Sequence, residues 1–114
     1  MRMITREELK DKLERDEHFA LVYVLSPQEF EQEHLPGAIN ILLEELKEKA
    51  PELLPNKHQE TICYCANFHC TASTSACQTL ESLGYTNVVD YEGGLQDWKD
   101  AGYPLETSRA EVTP

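Results

Sequence analysis

The sequence of 114 residues lacks a long apolar run and is poor in basic residues. No stretch approaches the ~20 apolar residues that a membrane-spanning helix needs, and the charged N-terminus lacks the apolar segment of a secretion signal. Ten lysines and arginines stand against 21 acidic residues, a formal net charge of −11. Because nucleic acids and anionic membranes attract basic surfaces, neither is an expected partner. These absences predict a cytoplasmic protein without membrane contact.

The cysteines lack the paired C-x2-C spacing of structural zinc sites. They crowd into 15 residues, as Cys63, Cys65, Cys70 and Cys77. In a reducing compartment such crowding favours thiol chemistry over a disulfide framework. We therefore expect neither a metal nor another cofactor.

The length bounds the architecture. A chain of 114 residues accommodates one domain with one hydrophobic core, and 40% hydrophobic with 27% charged residues is an ordinary globular composition. We expect a single domain with a core over residues 5–105 and a flexible tail over 106–114. The sequence leaves the oligomeric state open, with a monomer favoured.

Apolar periodicity predicts alternating helices and strands. Helical patterns cover residues 5–15, 27–30, 42–54, 71–83 and 95–101. Strand patterns cover residues 19–25, 61–64 and 87–91, and residues 34–41 form a turn followed by a short strand. Strands separated by helices predict a parallel sheet with helices on both faces, and ligands of such sheets bind beyond the carboxyl ends of the strands. Cys65 follows the strand pattern 61–64 and therefore lies at such an end.

The segment after Cys65 is a loop that enters a helix beginning near Thr71 or Ser73. The first amides of a helix lack internal partners and carry the positive end of its dipole, so they stabilise an anion. A thiolate placed there has a lowered pKa, and the thiolate is the nucleophilic form. Cys65 is therefore the candidate catalytic nucleophile.

The other thiols and a histidine have more than one interpretation. Cys63 and Cys77 are expected to be buried small hydrophobes, as cysteines often are. Cys70 is either a resolving thiol, a second sulfur acceptor, or a loop cysteine packed under the helix start. His69 either assists formation of the thiolate or is merely solvated.

Several phrases, taken in order, resemble the rhodanese homology domain. They are Glu29-Phe30 followed by HLPGAINI at 34–41, Tyr64-Cys65, LGYTNV at 83–88, and EGGLQDW at 92–98 followed by AGYP at 101–104. The resemblance covers about residues 9–105. It implies a three-layer α/β sandwich, with a five-stranded, mostly parallel sheet and helices on both faces.

The same resemblance implies an activity and a site. The activity would be transfer of sulfane sulfur through a cysteine persulfide, with Cys65 in the catalytic position. The loop that follows would direct its backbone amides at the transferred sulfur. Its residues are Ala66, Asn67, Phe68, His69, Cys70 and Thr71.

The sequence departs from the family at two places. An aspartate and an arginine usually flank the valine of the first core strand, whereas Tyr23 and Leu25 flank Val24 here. The loop lacks the family's frequent glycine and arginine, and the interval from Cys65 to Gly84 is about two residues longer than is common. Stability at the first place must come from packing rather than an ion pair. The second cysteine of the loop points to a subgroup of the family.

Two function classes remain after one is set aside. A related phosphatase would need an arginine where Thr71 stands, and no arginine occurs between Arg15 and Arg109. The favoured function is a sulfurtransferase that moves sulfur from thiosulfate or a persulfide donor to a thiol or cyanide through Cys65. Because residues 58–98 contain no lysine or arginine, a protein persulfide or a small thiol persulfide suits the loop better than dianionic thiosulfate. The alternative is a non-catalytic binding or redox-sensing module that uses Cys65 and Cys70.

Overall fold

Five parallel strands form the sheet in the computed structural model, which describes residues 1–107. The strands are β1 (Arg2–Met3), β2 (Ala20–Tyr23), β3 (Ile39–Asn40), β4 (Thr61–Tyr64) and β5 (Val88–Tyr91). Their spatial order is β1-β5-β4-β2-β3, and each neighbouring pair is parallel. The sequence did not predict β1, because two exposed edge residues carry no periodic pattern. β4 is the middle strand.

Five α-helices connect and cover the strands within this range. They are α1 (Arg6–Glu14), α2 (Pro27–Gln32), α3 (Leu46–Leu53), α4 (Ala72–Ser82) and α5 (Gly94–Asp100). The predicted capping box opens α1: Thr5 Oγ1 accepts from the Glu8 amide at 3.2 Å, and Glu8 Oε1 accepts from the Thr5 amide at 2.9 Å.

The helix predicted over 42–54 is divided. A 3₁₀ turn at Leu43–Glu45 precedes α3. Leu42 is still extended, and the amide of Leu43 donates to the carbonyl of Val24 at 3.0 Å, so the start of this segment is bonded to the chain leaving β2. The α-helix therefore begins later than the apolar pattern indicated.

The sheet has a separate apolar core on each face. Leu46, Ala50, Ala76 and Leu80 of α3 and α4 pack on one face. Leu9 of α1 and Trp98 of α5 pack on the other. Helices on both faces of a five-stranded parallel sheet confirm the predicted three-layer α/β fold. No helix in the described part of the chain has the length and apolar character of a membrane span.

Aromatic packing occupies the place of the missing ion pair on β2. The Tyr23 ring lies 5.0 Å from the Tyr64 ring and 6.2 Å from the Phe30 ring, measured between centroids. Tyr23 and Tyr64 are register partners on β2 and β4, so they share a face of the sheet. This contact ties α2 to the two central strands.

The end of the described chain returns to the start of the 34–41 segment. Backbone amides of His34 and Glu106 each donate to the other residue's carbonyl at 2.9 Å, as an isolated antiparallel bridge. The predicted start of the flexible tail at residue 106 is therefore too early, because Glu106 is paired with His34. Residues 108–114 lie outside the described residues.

Candidate active site

Cys65 directly follows β4, at the carboxyl edge of the middle strand. The start of α5 holds its backbone: the Leu95 amide donates to the carbonyl of Cys65, and the Gln96 amide donates to that of Ala66, both at 2.9 Å. All four residues of β4 are buried. The position of Cys65 is therefore fixed by a buried strand on one side and a helix start on the other.

Gly94 makes this close approach possible. Its φ is +66°, and a Cβ added there would overlap the carbonyl of Cys65 and approach Ala66 and Asn67. Only glycine accepts this backbone conformation without strain and also leaves that space open. The Gly93-Gly94 pair seen in the sequence thus sets the position of the candidate nucleophile.

The Cys65 thiol is buried and lies beside the start of α4. It donates to the carbonyl of Cys70 at 3.5 Å. The amide and hydroxyl of Ser73 are close enough to stabilise its thiolate. Thr71, the N-cap of α4, makes no side-chain capping hydrogen bond. The start of α4 therefore offers Cys65 two donors, both from Ser73.

The net pKa shift of Cys65 nevertheless differs from the prediction. Burial raises the pKa of this thiol to about 11, and the neighbouring Cys70 thiol adds to the rise. The hydroxyl and amide of Ser73 oppose it without cancelling it. Donors at a helix start favour the thiolate, but the cost of removing that thiolate from water is larger here.

Cys70 behaves in the opposite sense. Burial again opposes ionisation, but the interaction with Cys65 and the amides of Ala72 and Ala66 outweigh it and lower the pKa of Cys70. Cys70 is only partly buried. Of the two interacting thiols, Cys70 is the one that loses its proton first.

The loop itself is partly folded inward. Asn67 accepts from the amide of His69 through Oδ1 at 2.9 Å, and from the amide of Cys70 through its carbonyl at 3.1 Å. These two amides were predicted to point at the transferred sulfur, and in this conformation they do not, because Asn67 forms a tight turn. The side chains of Phe68, His69 and Thr71 are exposed.

Ser73 is a site residue that the loop prediction missed. It is fully buried, and its Oγ is one of three buried side-chain polar atoms without a hydrogen-bond partner among residues 1–107. The others are Tyr23 Oη and Asp90 Oδ1. Cys65 and Cys70 lie within electrostatic range of Tyr23 and help to raise its pKa, after burial and Glu29. The long interval between Cys65 and Gly84 was the sequence signal that could have indicated Ser73. A longer loop starts the helix later, so that its first hydroxyl residue comes after Thr71.

The remaining two thiols lie deeper. Cys63 and Cys77 are buried, as predicted, and Cys77 donates to the carbonyl of Val89 at 3.5 Å. Interaction with Cys77, followed by burial, raises the pKa of Cys63 well above its ordinary value. Asp90, the register partner of Cys63, adds to this rise while its Oδ2 accepts from Thr74 Oγ1 at 2.7 Å.

These features define a class of protein: a parallel α/β domain with a cysteine at the end of the middle strand, facing the start of the next helix. Within that class, residues 5–101 match the Rhodanese-like domain family, and the chain belongs to that family. The predicted resemblance is therefore confirmed.

Known proteins similar to this chain include sulfurtransferases. The thiosulfate sulfurtransferase PspE of Escherichia coli is 40% identical over 81 residues, which cover 71% of this chain and 73% of PspE. The putative sulfur carrier protein YrkF of Bacillus subtilis is 30% identical over 83% of this chain, which spans only 49% of YrkF. The solved structure of the rhodanese-like domain of Alr3790 from Anabaena sp. is similar to this chain with a TM-score of 0.83 at 27% identity. The match covers 100% of this chain and 87% of the Alr3790 chain.

Proposed function

We propose that this domain transfers sulfane sulfur through a persulfide on Cys65. In the first step the Cys65 thiolate attacks the outer sulfur of thiosulfate, the S–S bond of the donor breaks, and sulfite leaves with the bonding electron pair. In the second step cyanide or an acceptor thiolate attacks the outer sulfur of the persulfide and takes it away as thiocyanate or a new persulfide. The Cys65 thiolate is thereby regenerated.

The buried hydroxyl of Ser73 is the observation that carries this proposal. A buried O–H without an acceptor costs about 1–3 kcal/mol, and this one lies beside the only thiol at the end of the middle strand in the described chain. A sulfur anion carried on Cys65 would supply the missing acceptor. The names of PspE and YrkF, which refer to thiosulfate sulfurtransfer and sulfur carriage, support the same chemistry.

Deprotonation is the difficult part of the first step. The Cys65 thiol, with its pKa raised to about 11, must give up a proton before it attacks. Cys70 ionises first, and its thiolate can accept that proton because the two thiols interact. Cys70 would then act as the base that activates Cys65, in addition to any role as an acceptor.

The test is sulfur loading from thiosulfate. Wild type, Cys65→Ser and Cys70→Ser proteins are incubated with thiosulfate, and intact mass and cyanide-releasable sulfur are measured. Wild type should gain one sulfur and release it as thiocyanate, Cys65→Ser should gain none, and Cys70→Ser should load more slowly. Sulfur retained by Cys65→Ser would refute the assignment.

A redox-sensing function is a second candidate, favoured by the interaction between Cys65 and Cys70. Peroxide would oxidise the Cys70 thiolate to a sulfenic acid with release of hydroxide, and the Cys65 thiol would then displace water to form a disulfide. A mass loss of two hydrogens under mild peroxide, without thiosulfate turnover, would favour this function over sulfur transfer.

A further inference from the structure

A groove of about 400 Å³ lies beside the loop that carries Cys65. Phe68, three residues after Cys65, forms part of its wall together with Met3, Ile4 and Tyr91. Gly93 also lines the groove, and Gly94, the next residue, touches the Cys65 backbone. The groove therefore borders the candidate site, although it is on the α1 and α5 side of the sheet.

Two apolar side chains at this groove are left in solvent. Phe68 is 66% exposed and Met3 is 55% exposed, the two highest values among the large hydrophobic residues of the described chain. Exposed apolar surface next to a reactive group is typical of a contact surface.

The charges at the groove have one sign once internal pairs are counted. Glu7, Glu92 and Asp97 line it, and Arg6 is the single lysine or arginine in its wall. Arg6 Nη1 donates to Asp97 Oδ1 at 3.1 Å, and Arg6 Nε donates to Glu7 Oε2 at 3.1 Å. The arginine is therefore already neutralised, and Glu92 remains as an exposed carboxylate. Near Cys70, Glu29 contributes further negative charge.

From this arrangement we infer that the groove docks a positively charged protein segment that presents an apolar side chain next to its reacting cysteine. The apolar side chain would pack against Phe68 and Met3, and lysine or arginine neighbours would face Glu92. The inference deepens the proposed function, because it specifies the class of partner that exchanges sulfur with Cys65. It disfavours dianionic thiosulfate as the natural donor, because the groove repels anions.

Peptide binding tests the groove without any sulfur chemistry. Fluorescently labelled peptides carry a serine in place of the reacting cysteine, next to a leucine, with either lysine or glutamate flanks. A third peptide has lysine flanks and alanine in place of leucine. Anisotropy should give at least about tenfold tighter binding of the lysine-leucine peptide than of the glutamate peptide at low salt, and a smaller ratio at high salt.

Three variants localise the binding. Glu92→Gln should lower the preference for lysine over glutamate flanks about two- to threefold, and Phe68→Ala should remove the preference for leucine over alanine. Glu52→Gln, which removes an exposed carboxylate of α3 on the other face of the sheet, is the matched control and should keep both preferences. Equal binding of the lysine and glutamate peptides, or preferences that survive both Glu92→Gln and Phe68→Ala, would overturn the inference.

A second readout separates this inference from the proposed function. Wild type protein loaded with sulfur should transfer it faster to the lysine-leucine peptide with its cysteine restored than to the glutamate peptide. Failure to load from thiosulfate would count against the proposed function alone, because the binding ratios do not depend on loading. Loading with no peptide preference would count against the groove alone.

Discussion

The two thiol pairs of this domain are neighbours in space and differ in their surroundings. Cys63 and Cys77 lie within the core between β4 and α4, where each is buried. Cys65 is two residues further along the same strand direction, and its partner Cys70 is partly exposed in a loop. Cys65 is one strand period beyond Cys63 and is buried in the same core, but its neighbour there is Ser73 at the start of α4.

Burial alone does not distinguish a structural thiol from a candidate nucleophile. Both Cys63 and Cys65 are buried with raised pKa values. Each also has a second thiol beside it. What differs is the remaining neighbour: the hydroxyl and amide of Ser73 can stabilise an anion on Cys65, whereas the Asp90 carboxylate opposes an anion on Cys63. Our proposal that Cys65 is the nucleophile therefore rests on the surroundings of its charged form and not on its resting pKa.

The largest expected effect comes from removing one thiol of each pair, Cys63 within β4 or Cys65 directly after it. Cys65→Ser should abolish sulfur loading while the fold is retained. Cys63→Ala should retain loading and lower the free energy of unfolding by about 1 kcal/mol, because a small buried group is lost from a packed core. Urea unfolding and the thiosulfate assay measure the two outcomes. Loss of loading in Cys63→Ala with an intact fold would break the distinction between the pairs.

Gly94→Ala should give the next largest effect. An alanine there would be strained in the left-handed backbone conformation, and its Cβ would overlap the Cys65 carbonyl. We therefore expect the free energy of unfolding to fall by about 2–4 kcal/mol and sulfur loading to be slower. Gly102→Ala is the control, because Gly102 has a φ of +76° and nothing within 4 Å of an added Cβ. It should cost only the strain, about 1–2 kcal/mol. Equal losses in the two variants would show that the contact with Cys65 is unimportant.

Ser73→Ala tests whether the Ser73 hydroxyl stabilises the anion on Cys65. A hydrogen bond to a charged group contributes about 1.5–3 kcal/mol, so loading should slow about tenfold or more. The free energy of unfolding should stay the same or rise, because the variant removes a buried hydroxyl without a partner. Ser75→Ala, on the same helix, should leave both quantities unchanged, and Ser73→Thr should restore most of the rate. Wild-type loading in Ser73→Ala would exclude the hydroxyl from the reaction.

The smallest effect concerns pH. Burial and then the Cys70 thiol raise the pKa of Cys65 to about 11, so its alkylation by iodoacetamide should increase with pH through that value. Cys70→Ala removes the second cause, and the midpoint should move to lower pH while staying above the ordinary value. Cys77→Ala is the matched control and should leave the midpoint in place, since Cys77 acts on Cys63.

Local patterns made much of the fold predictable. The capping box of α1, the apolar run of β2 and the buried strand β4 each carry their own signal in a few adjacent residues. β1 could not be found, because its two residues are exposed and become a strand only by pairing with β5. The placement of Glu106 depends likewise on a partner 72 positions away, at His34.

The site was predictable in position and not in detail. The end of strand 61–64 located Cys65, and the following helix located the donors. The raised pKa of that thiol depends on its burial by residues that are distant in sequence, and no local pattern predicts such burial. Ser73 was missed because the loop is longer than the usual pattern. Arg6 was missed because tertiary folding brings it to the groove beside Phe68, 62 positions away, in a region that appeared free of basic residues.

Direct mapping of the added sulfur tests the central claim, that Cys65 carries the persulfide. Trypsin would leave all four cysteines in one peptide, because residues 58–98 contain no lysine or arginine. Chymotrypsin, which cuts after Tyr64 and Phe68, isolates Cys65 in the tetrapeptide 65–68. After loading with thiosulfate and alkylation, mass spectrometry should find the additional sulfur on that tetrapeptide. An additional sulfur on the peptide of Cys63, or on that of Cys70 and Cys77, with none on 65–68, would contradict the claim.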